Sequence, residues 1–440
     1  MLLKLRWGTD TIQSVRTIGD IAQLGERGVR NAEVGGSSPP ISTTIVAIQP
    51  SPGCQIGHMK VIVAPQAFKG TASASVVADS MCRGVLLSMP HADVITIPVA
   101  DGGSGTVEAL VTATGGRYIT SSAYDPLGRP ITARWGVLGD GETAVIESSA
   151  ASGLGLLEVS ERDPTKTTTR GTGYLLKAAL DAGYRHILIG LGDSATNDAG
   201  VGMAQAIGIK ALDGDGVDIP DGGAALMRLY SLDMKDAHRG LSSSTITVLC
   251  DVTNSLYGLD GASAIFAPQK GANVRQVSLL DAALHHFSDV VEAQLGLSVQ
   301  DIPGAGAAGG LGAGLVVFCG AVLRPGFEVI SNTLHLAELL DDADIVLTGE
   351  GRIDSQTAGG KGVSGVAALA KEQGVPLVAA IVGRNGLGAN EAATLGIDAV
   401  FVLAGQSAKA TADAEATPHL IEDATASAVA SLLNKVNNDF

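Results

Sequence analysis

The apolar run His186-Ile187-Leu188-Ile189 leads straight into Gly190-Leu191-Gly192-Asp193-Ser194-Ala195-Thr196-Asn197-Asp198-Ala199-Gly200, and a helix-like run, 203–207, follows. A strand, a glycine- and hydroxyl-rich turn and a helix, in that order, make half of a crossover unit, whose next parallel strand lies beside the first. The pattern recurs along the chain. Strands expected at 60–64, 94–97, 246–250 and 345–347 each end in a polar, glycine-rich loop. Such alternation predicts an α/β fold with mainly parallel sheets flanked by helices on both faces. Right-handed crossovers then gather the loops at the strand C-terminal ends along one edge, where α/β proteins bind ligands. If these loops converge, they enclose one large cleft.

Length and composition narrow the partners. At 440 residues, two domains are expected. The formal net charge of -16 argues against nucleic acid and anionic membrane as partners, since both select basic surface. An anionic small molecule stays compatible, because a site can be locally positive inside an acidic protein. Abundant glycine (58) and scarce aromatics (3%) suit tight strand-to-helix turns over an aliphatic core. Cys54, Cys82, Cys250 and Cys319 form no CxxC pair, so buried free thiols in a reducing cytosol are expected. Met1 to Trp7 carries no signal-peptide core, and the expected location is the cytoplasm. Residues 303–323 run 21 positions without a charge, long enough on paper to cross a bilayer. Seven of them are glycine and Pro303 opens the run, so a glycine-rich loop leading into one buried helix is expected instead.

Residues 1–58 read differently from the rest. They carry little periodicity and end in a linker-like run from Gly35-Gly36-Ser37-Ser38-Pro39-Pro40 to Pro50-Ser51-Pro52-Gly53. Met59 then opens a clean strand, so 1–58 is expected to be disordered or a spurious extension, with Met59 the true start. The segments 21–27 and 34–40 also look like conceptual translation of a transfer-RNA gene. N-terminal sequencing of the native protein tests this, and a mature chain beginning upstream of Met59 would overturn it. Beyond Met59, Val77, Met81 and Val85 at fourfold spacing predict a helix over 73–88 capped by Ser73. Further helices are expected over 106–114, 308–321, 363–372 and about 419–434, with strands at 377–382 and 399–403. The middle, about 117–295, mixes shorter strands with Gly/Asp turns.

The loops carry the chemistry. Backbone N–H groups in glycine-rich turns point at anions, and a helix N-terminus adds partial positive charge. Ser194, Thr196 and Asn197 can hydrogen-bond a polyol or a phosphate, and Asp198 can act as a base or hold a metal; the structural alternative is a tight turn with a helix cap. Lys69, after strand 60–64, is placed to meet a carboxylate or phosphate, or is a surface lysine in a loop. Asp101, beside Gly102, Gly103 and Gly105, can orient a hydroxyl or Mg²⁺, or form a turn. After strand 345–347, Glu350, Arg352, Asp354 and Lys361 supply two carboxylates, a guanidinium and an ammonium within fourteen residues. Phosphoryl transfer wants such a set: cations around the phosphate, Mg²⁺ between phosphates and a base near the acceptor hydroxyl. No GxxxxGK[ST] loop is present. The stretch 304–309 formally matches GxGxxG but does not directly follow a clear strand, which weakens a dinucleotide reading. His285-His286 lack metal-ligand spacing.

Taken together, these loops resemble the bacterial type-1 glycerate kinase family. The resemblance is carried, in order, by APQAFKG (64–70), PVADGGSGT (98–106), AASGL (150–154), TTRGTG (168–173), GDSATNDAG (192–200), CDVTN (250–254), FAPQKGA (266–272), PGAGAAGGLG (303–312), TGEGRIDSQT (348–357) and GKG (360–362). It covers Met59 to near the C-terminus and leaves 1–58 outside. It implies an ATP-dependent kinase that phosphorylates D-glycerate, usually on the 2-hydroxyl, giving 2-phosphoglycerate, with the 3-hydroxyl left open. It also implies two α/β domains around an active-site cleft: a Rossmann-like domain from 59–116 plus 296–440, with 117–295 as an inserted second α/β domain.

Roles follow from that resemblance as expectations. Lys69 and Arg352 hold the glycerate carboxylate or the transferring phosphate. Ser194, Thr196, Asn197 and Asp251 bind substrate or phosphate, and Lys361 meets ATP phosphates. Asp198 is the first choice for general base and Asp101 the second. Glu350 or Asp354 contacts Mg²⁺, directly or through water. ATP, Mg²⁺ and D-glycerate are the expected ligands of a monomer or homodimer whose domain closure excludes water. Three positions depart from the family's usual pattern: Gln66 where aspartate is usual, Asp193 where a second glycine is usual, and Ala199 where glycine is common. If Gln66 and Asp193 both line the site, a compensating exchange of carboxylates is one outcome. The alternatives are a kinase for another small hydroxy acid, a non-catalytic binder of small organic acids, and a nicotinamide-dependent dehydrogenase resting on GxGxxG alone.

Overall fold

Two six-stranded sheets organise the chain, which leaves the first to build the second and then returns. The computed structural model describes residues 15–17, 59–354, 362–403 and 413–438. Strands β1 (Val15–Thr17), β2 (Lys60–Val63) and β3 (Asp93–Thr96) open the first sheet. The second sheet takes β4 (Arg117–Tyr124), β5 (Pro130–Val137), β6 (Thr143–Glu147) and β7 (His186–Gly190). A two-stranded ribbon of β8 (Lys210–Leu212) and β9 (Ser231–Asp233) follows, then β10 (Thr245–Leu249) and β11 (Val322–Arg324) complete the second sheet. Strands β12 (Ile345–Glu350), β13 (Leu377–Val382) and β14 (Ala399–Val402) return to the first.

The first sheet has the order β1-β3-β2-β12-β13-β14, and each neighbouring pair is parallel. The second has the order β11-β10-β7-β6-β5-β4, parallel from β11 to β6 and antiparallel from β6 to β4. The fold is therefore α/β, with mainly parallel sheets flanked by helices. Strand β2 shows why both faces need helices. Ile62 enters the core on one face, and Val61 and Val63 enter that on the other. Helix α1 (Ala74–Ser88) buries Val77, Met81 and Val85 against one face, as their spacing predicts, and packs on the C-terminal helix Thr417–Asn438. The Ser73 hydroxyl accepts from the Val76 N–H at 3.5 Å and caps α1. Helices Thr106–Thr114 and Gly362–Glu372 cover the other face through Val107, Leu110, Val363 and Val366.

The uncharged run 303–323 supplies helix Ala307–Cys319, whose Leu311, Leu315 and Phe318 join the core of the second sheet. A helix without a polar face needs cover all round, and that core provides it. With β11 also in the second sheet, the chain stays there to residue 324, past the division expected at 295. Among the described residues, no helix is long and apolar enough to cross a membrane. At the edge of the first sheet, Val15–Thr17 pairs in parallel with Val94–Thr96. The rest of 1–58 lies outside the described residues, and so does the extension expected there.

The first sheet reverses its strand order between β2 and β12: β2 leads outward to β3 on one side, and β12 leads to β13 and β14 on the other. Loops that diverge at such a switch point leave a crevice beyond the strand ends. That crevice is where the cations of the sequence meet.

Candidate active site

Two adjoining cavities occupy the space between the sheet edges. The first, about 460 Å³, is lined by the loops after β2, β3, β12 and β13, including Gln66, Lys69, Asp101, Glu350, Arg352 and Arg384. The second, about 340 Å³, is lined by the loops after β3, β7 and β10 and by the turn holding Lys270; it includes Asp193, Ser194 and Asp251. Lys69 and Asp101 line both, so the cavities are the two halves of one cleft.

Glycines bring the loops together. The Gly192 N–H donates to the Gly102 carbonyl at 3.2 Å. A side chain on Gly192 would overlap Gly103, and one on Gly190 would overlap the Gly102 carbonyl. The loops after β3 and β7 therefore touch backbone to backbone, which only glycine permits. Next to this contact, the Asp101 carboxylate accepts from the Gly103 N–H at 3.0 Å, forming a turn at the mouth of both halves.

Lys69 Nζ stands 3.8 Å from Asp193 Oδ1 across the cleft, with both side chains exposed. The other Asp193 oxygen accepts from the Ser104 N–H at 3.2 Å. Asp193 adopts φ 59°, a left-handed conformation that favours glycine. Gln66 lines the first half, against Gly362, where a side chain would overlap its amide. The two departures thus share one cleft with Lys69, and the carboxylate facing that lysine belongs to Asp193.

The hydroxyl-rich loop divides in two. Ser194 faces the second half of the cleft, whereas Thr196, Asn197 and Asp198 turn inward and are buried. The Thr196 hydroxyl donates to the Ala308 carbonyl at 3.5 Å, and the Asn197 amide donates to the Ser263 hydroxyl at 3.1 Å. Asp198 accepts from the Thr169 N–H at 2.8 Å, the Thr169 hydroxyl at 2.9 Å, the Gly200 N–H at 3.2 Å and the Gly202 N–H at 3.3 Å. Burial pushes its carboxyl pKa up, against the lowering effect of these bonds. Asp198 ties the short helix Val201–Ala206 to the start of helix Arg170–Asp181 and lines neither half of the cleft. A general base has to reach the proton it takes. The expectations of a base at Asp198 and of ligand contacts by Thr196 and Asn197 do not fit this inward placement. Donors in a glycine-rich loop need an internal acceptor, and Asp198 is theirs.

The remaining expected residues separate by loop. Arg352 lines the first half and its Nε donates to Asp354 at 3.0 Å; Asp354 lines neither half. Glu350 lines the first half. Asp251 lines the second and accepts from the Gly326 N–H at 2.7 Å. Lys361 lies outside the described residues. Among the described residues, no group of three or more His, Cys, Asp or Glu side chains is arranged to hold a metal. The 304–309 stretch runs into the start of helix Ala307–Cys319, and the element before it is helix Val274–Leu295 rather than a strand, so the dinucleotide fingerprint lacks its required setting.

Two cations in the cleft went unremarked in the sequence. Arg384 lines the first half, after β13. Lys270 lines the second and is only 2% exposed. Its Nζ donates to the Ser194 hydroxyl at 2.8 Å and to the Thr196 carbonyl at 2.7 Å. Burial lowers its pKa from 10.5 to about 7, opposed by the charge of Asp198. The available signal was its setting in FAPQKGA, where it is the one charged residue.

Comparison with known proteins agrees with this geometry. The glycerate kinase family profile matches residues 61–434. The chain is 48% identical to a glycerate kinase of Bacillus subtilis (strain 168) over 343 residues, covering 78% of this chain and 90% of that protein. It is 46% identical to a glycerate 2-kinase of Escherichia coli (strain K12) over 346 residues, with the same coverage of 78% and 90%. A crystal structure assigned as glycerate kinase 2 from Salmonella typhimurium LT2 superposes with a TM-score of 0.77 at 43% identity, covering 87% of this chain and 100% of that one. This chain belongs to the glycerate kinase family.

Proposed function

We propose that this protein transfers the γ-phosphoryl group of ATP to the 2-hydroxyl of D-glycerate, releasing ADP and 2-phosphoglycerate. The observation that carries this reading is the shared position of Lys69 and Asp101 on both halves of the cleft. Lys69, Arg352 and Arg384 give the first half three cations, the complement of a triphosphate. The second half offers a hydroxyl, carboxylates and a buried lysine to a small polar acid. Transfer between two such ligands has to cross the junction. There the acceptor hydroxyl oxygen bonds to phosphorus, the bond to ADP breaks with its electrons leaving on ADP, and Asp101 takes the hydroxyl proton. Lys69 offsets charge on the transferring group. The name of the Escherichia coli relative supports the 2-hydroxyl as acceptor.

Mg²⁺ fits this donor set as part of the nucleotide. It is commonly held through one or two carboxylates plus phosphate oxygens, and Glu350 is the carboxylate of the first half left for it once Asp101 serves as base. When bound, it neutralises phosphate charge. The same reading takes the two sheets as the cores of two domains closing on substrate, in a cytoplasmic monomer or homodimer. The net charge of -16 supports the absence of nucleic acid and membrane from its partners.

A coupled ADP-release assay with Mg-ATP and D-glycerate tests the reading, with a second arm passing product to enolase without added mutase. ADP release with an enolase signal is expected. ADP release without one would move the phosphate to the 3-hydroxyl, and no ADP above the ATP-only control would overturn the assignment.

A further inference from the structure

A lysine is seldom taken out of water without an acid beside it. Lys270 is buried, and although the charge of Asp198 reaches it, no carboxylate bonds it: the oxygens that receive its two hydrogen bonds are the Ser194 hydroxyl and the Thr196 carbonyl. An ammonium carries three N–H donors, and these bonds use two. The same side chain lines the second half of the cleft.

We propose that Lys270 receives the carboxylate of the hydroxy-acid substrate in this half of the cleft. The proposal rests on the reading of the protein as a glycerate kinase. It answers a problem of charge. Asp101, Asp193 and Asp251 all line the second half, and Lys69, its other cation, already faces Asp193. A carboxylate entering among three aspartates needs a cation of its own, and Lys270 is there. Phosphate of the nucleotide is the other candidate anion, but Arg352 and Arg384 line the first half and Lys270 does not.

The groups around the amine define its titration. The charge of Asp198 acts on it from the loop after β7, and Asp193, Asp251, Asp101 and Lys69 line the same half of the cleft. Arg162 packs behind Gly271, and Ala307 and Ala308 at the start of helix Ala307–Cys319 carry no charge. With the free amine held near 7 by burial, and its affinity for protons raised by a bound carboxylate, the sign follows. Well below pH 7 the amine is protonated with or without substrate, and affinity is highest. Above it, binding requires a proton from solution, so affinity falls as pH rises.

The test is calorimetry of D-glycerate binding to the full chain at pH 8, in buffers of different ionisation enthalpy, beside steady-state kinetics from pH 6.5 to 9. Proton uptake on D-glycerate binding is expected, with a KM for D-glycerate that rises with pH while that for ATP stays flat. Lys270→Met should raise the D-glycerate KM by about 30- to 100-fold, remove the proton uptake and leave the ATP KM within about twofold. Lys270→Arg, protonated throughout, should retain tighter D-glycerate binding than Lys270→Met and show no uptake. Absence of uptake in the wild type, a wild-type D-glycerate KM in Lys270→Met, or an effect confined to ATP would each overturn the proposal. If neither variant folds, the wild-type calorimetry and pH profile decide. A wild type that turns over no D-glycerate contradicts the functional reading itself, whereas turnover without proton uptake contradicts only the role of Lys270.

Discussion

Asp101 and Asp198 both follow a parallel strand and sit among glycines, yet one faces the cleft and the other faces the protein. The difference lies in what surrounds each. Asp198 meets two N–H groups at the start of helix Val201–Ala206 and two donors from Thr169, which together hold both its oxygens inside. Asp198→Asn would set amide N–H groups against those donors. It is expected to cost about 2–4 kcal/mol of stability, read by urea unfolding, because buried donors lose their acceptor. A variant as stable as wild type would show that the carboxylate is not the acceptor this loop needs. None of this is legible in Thr196-Asn197-Asp198-Ala199-Gly200, since the same string suits a helix cap or a catalytic loop. Lys270 is hidden for a related reason: its partners lie 74 and 76 residues away, so its burial is set by tertiary packing alone. Lys69, Asp101, Glu350 and Arg352 were legible as candidates from their polar loops just beyond parallel strands, although the same setting also offered Asp198 and Asp354, which line neither half.

Among the elements, those expected at the two ends of the chain follow from periodicity, and their ends fall close to the expected positions. Helix 73–88, with its Ser73 cap, and strand 377–382 are examples. Helices Arg170–Asp181 and Val274–Leu295 and the eight-residue strands β4 and β5, by contrast, lie in the middle, where only shorter strands and turns were expected. Helix Ala307–Cys319 is less regular: residues 308–310 take positive φ at its start. That departure lets the glycine backbone meet the loop after β7, where the Ala199 N–H donates to the Gly309 carbonyl at 3.1 Å. A side chain on Gly309 would overlap the Thr196 carbonyl, the same carbonyl that accepts from Lys270. Gly309→Ala is therefore expected to destabilise by about 2–4 kcal/mol and to weaken D-glycerate binding in whatever folds. Wild-type stability and KM in this variant would mean that the loop does not depend on the contact. Sequence pattern registers the glycines here but not their purpose, because close backbone approach between distant segments leaves no period.

At the scale of the molecule, mainly parallel sheets with polar loops at their C-terminal ends were legible from alternation, while the expectation of two units around one cleft came from length and resemblance. The point at which the chain leaves the second sheet was not legible. Residues 296–324 continue the strand–helix rhythm of either sheet, and only packing assigns them to the second. The cleft has a division of labour by charge: three cations in the first half, and a buried lysine among acids in the second, with Lys69 and Asp101 at the boundary. Catalysis requires transfer across that boundary. Steady-state kinetics of Asp101→Asn with Mg-ATP and D-glycerate, alongside a thermal melt, test this most directly. The expected result is a kcat lowered by about 10²-fold or more, both KM values within about threefold and an unchanged melting temperature. A variant that keeps wild-type kcat, or loses it only in proportion to unfolding, would contradict the placement of the chemistry at the junction.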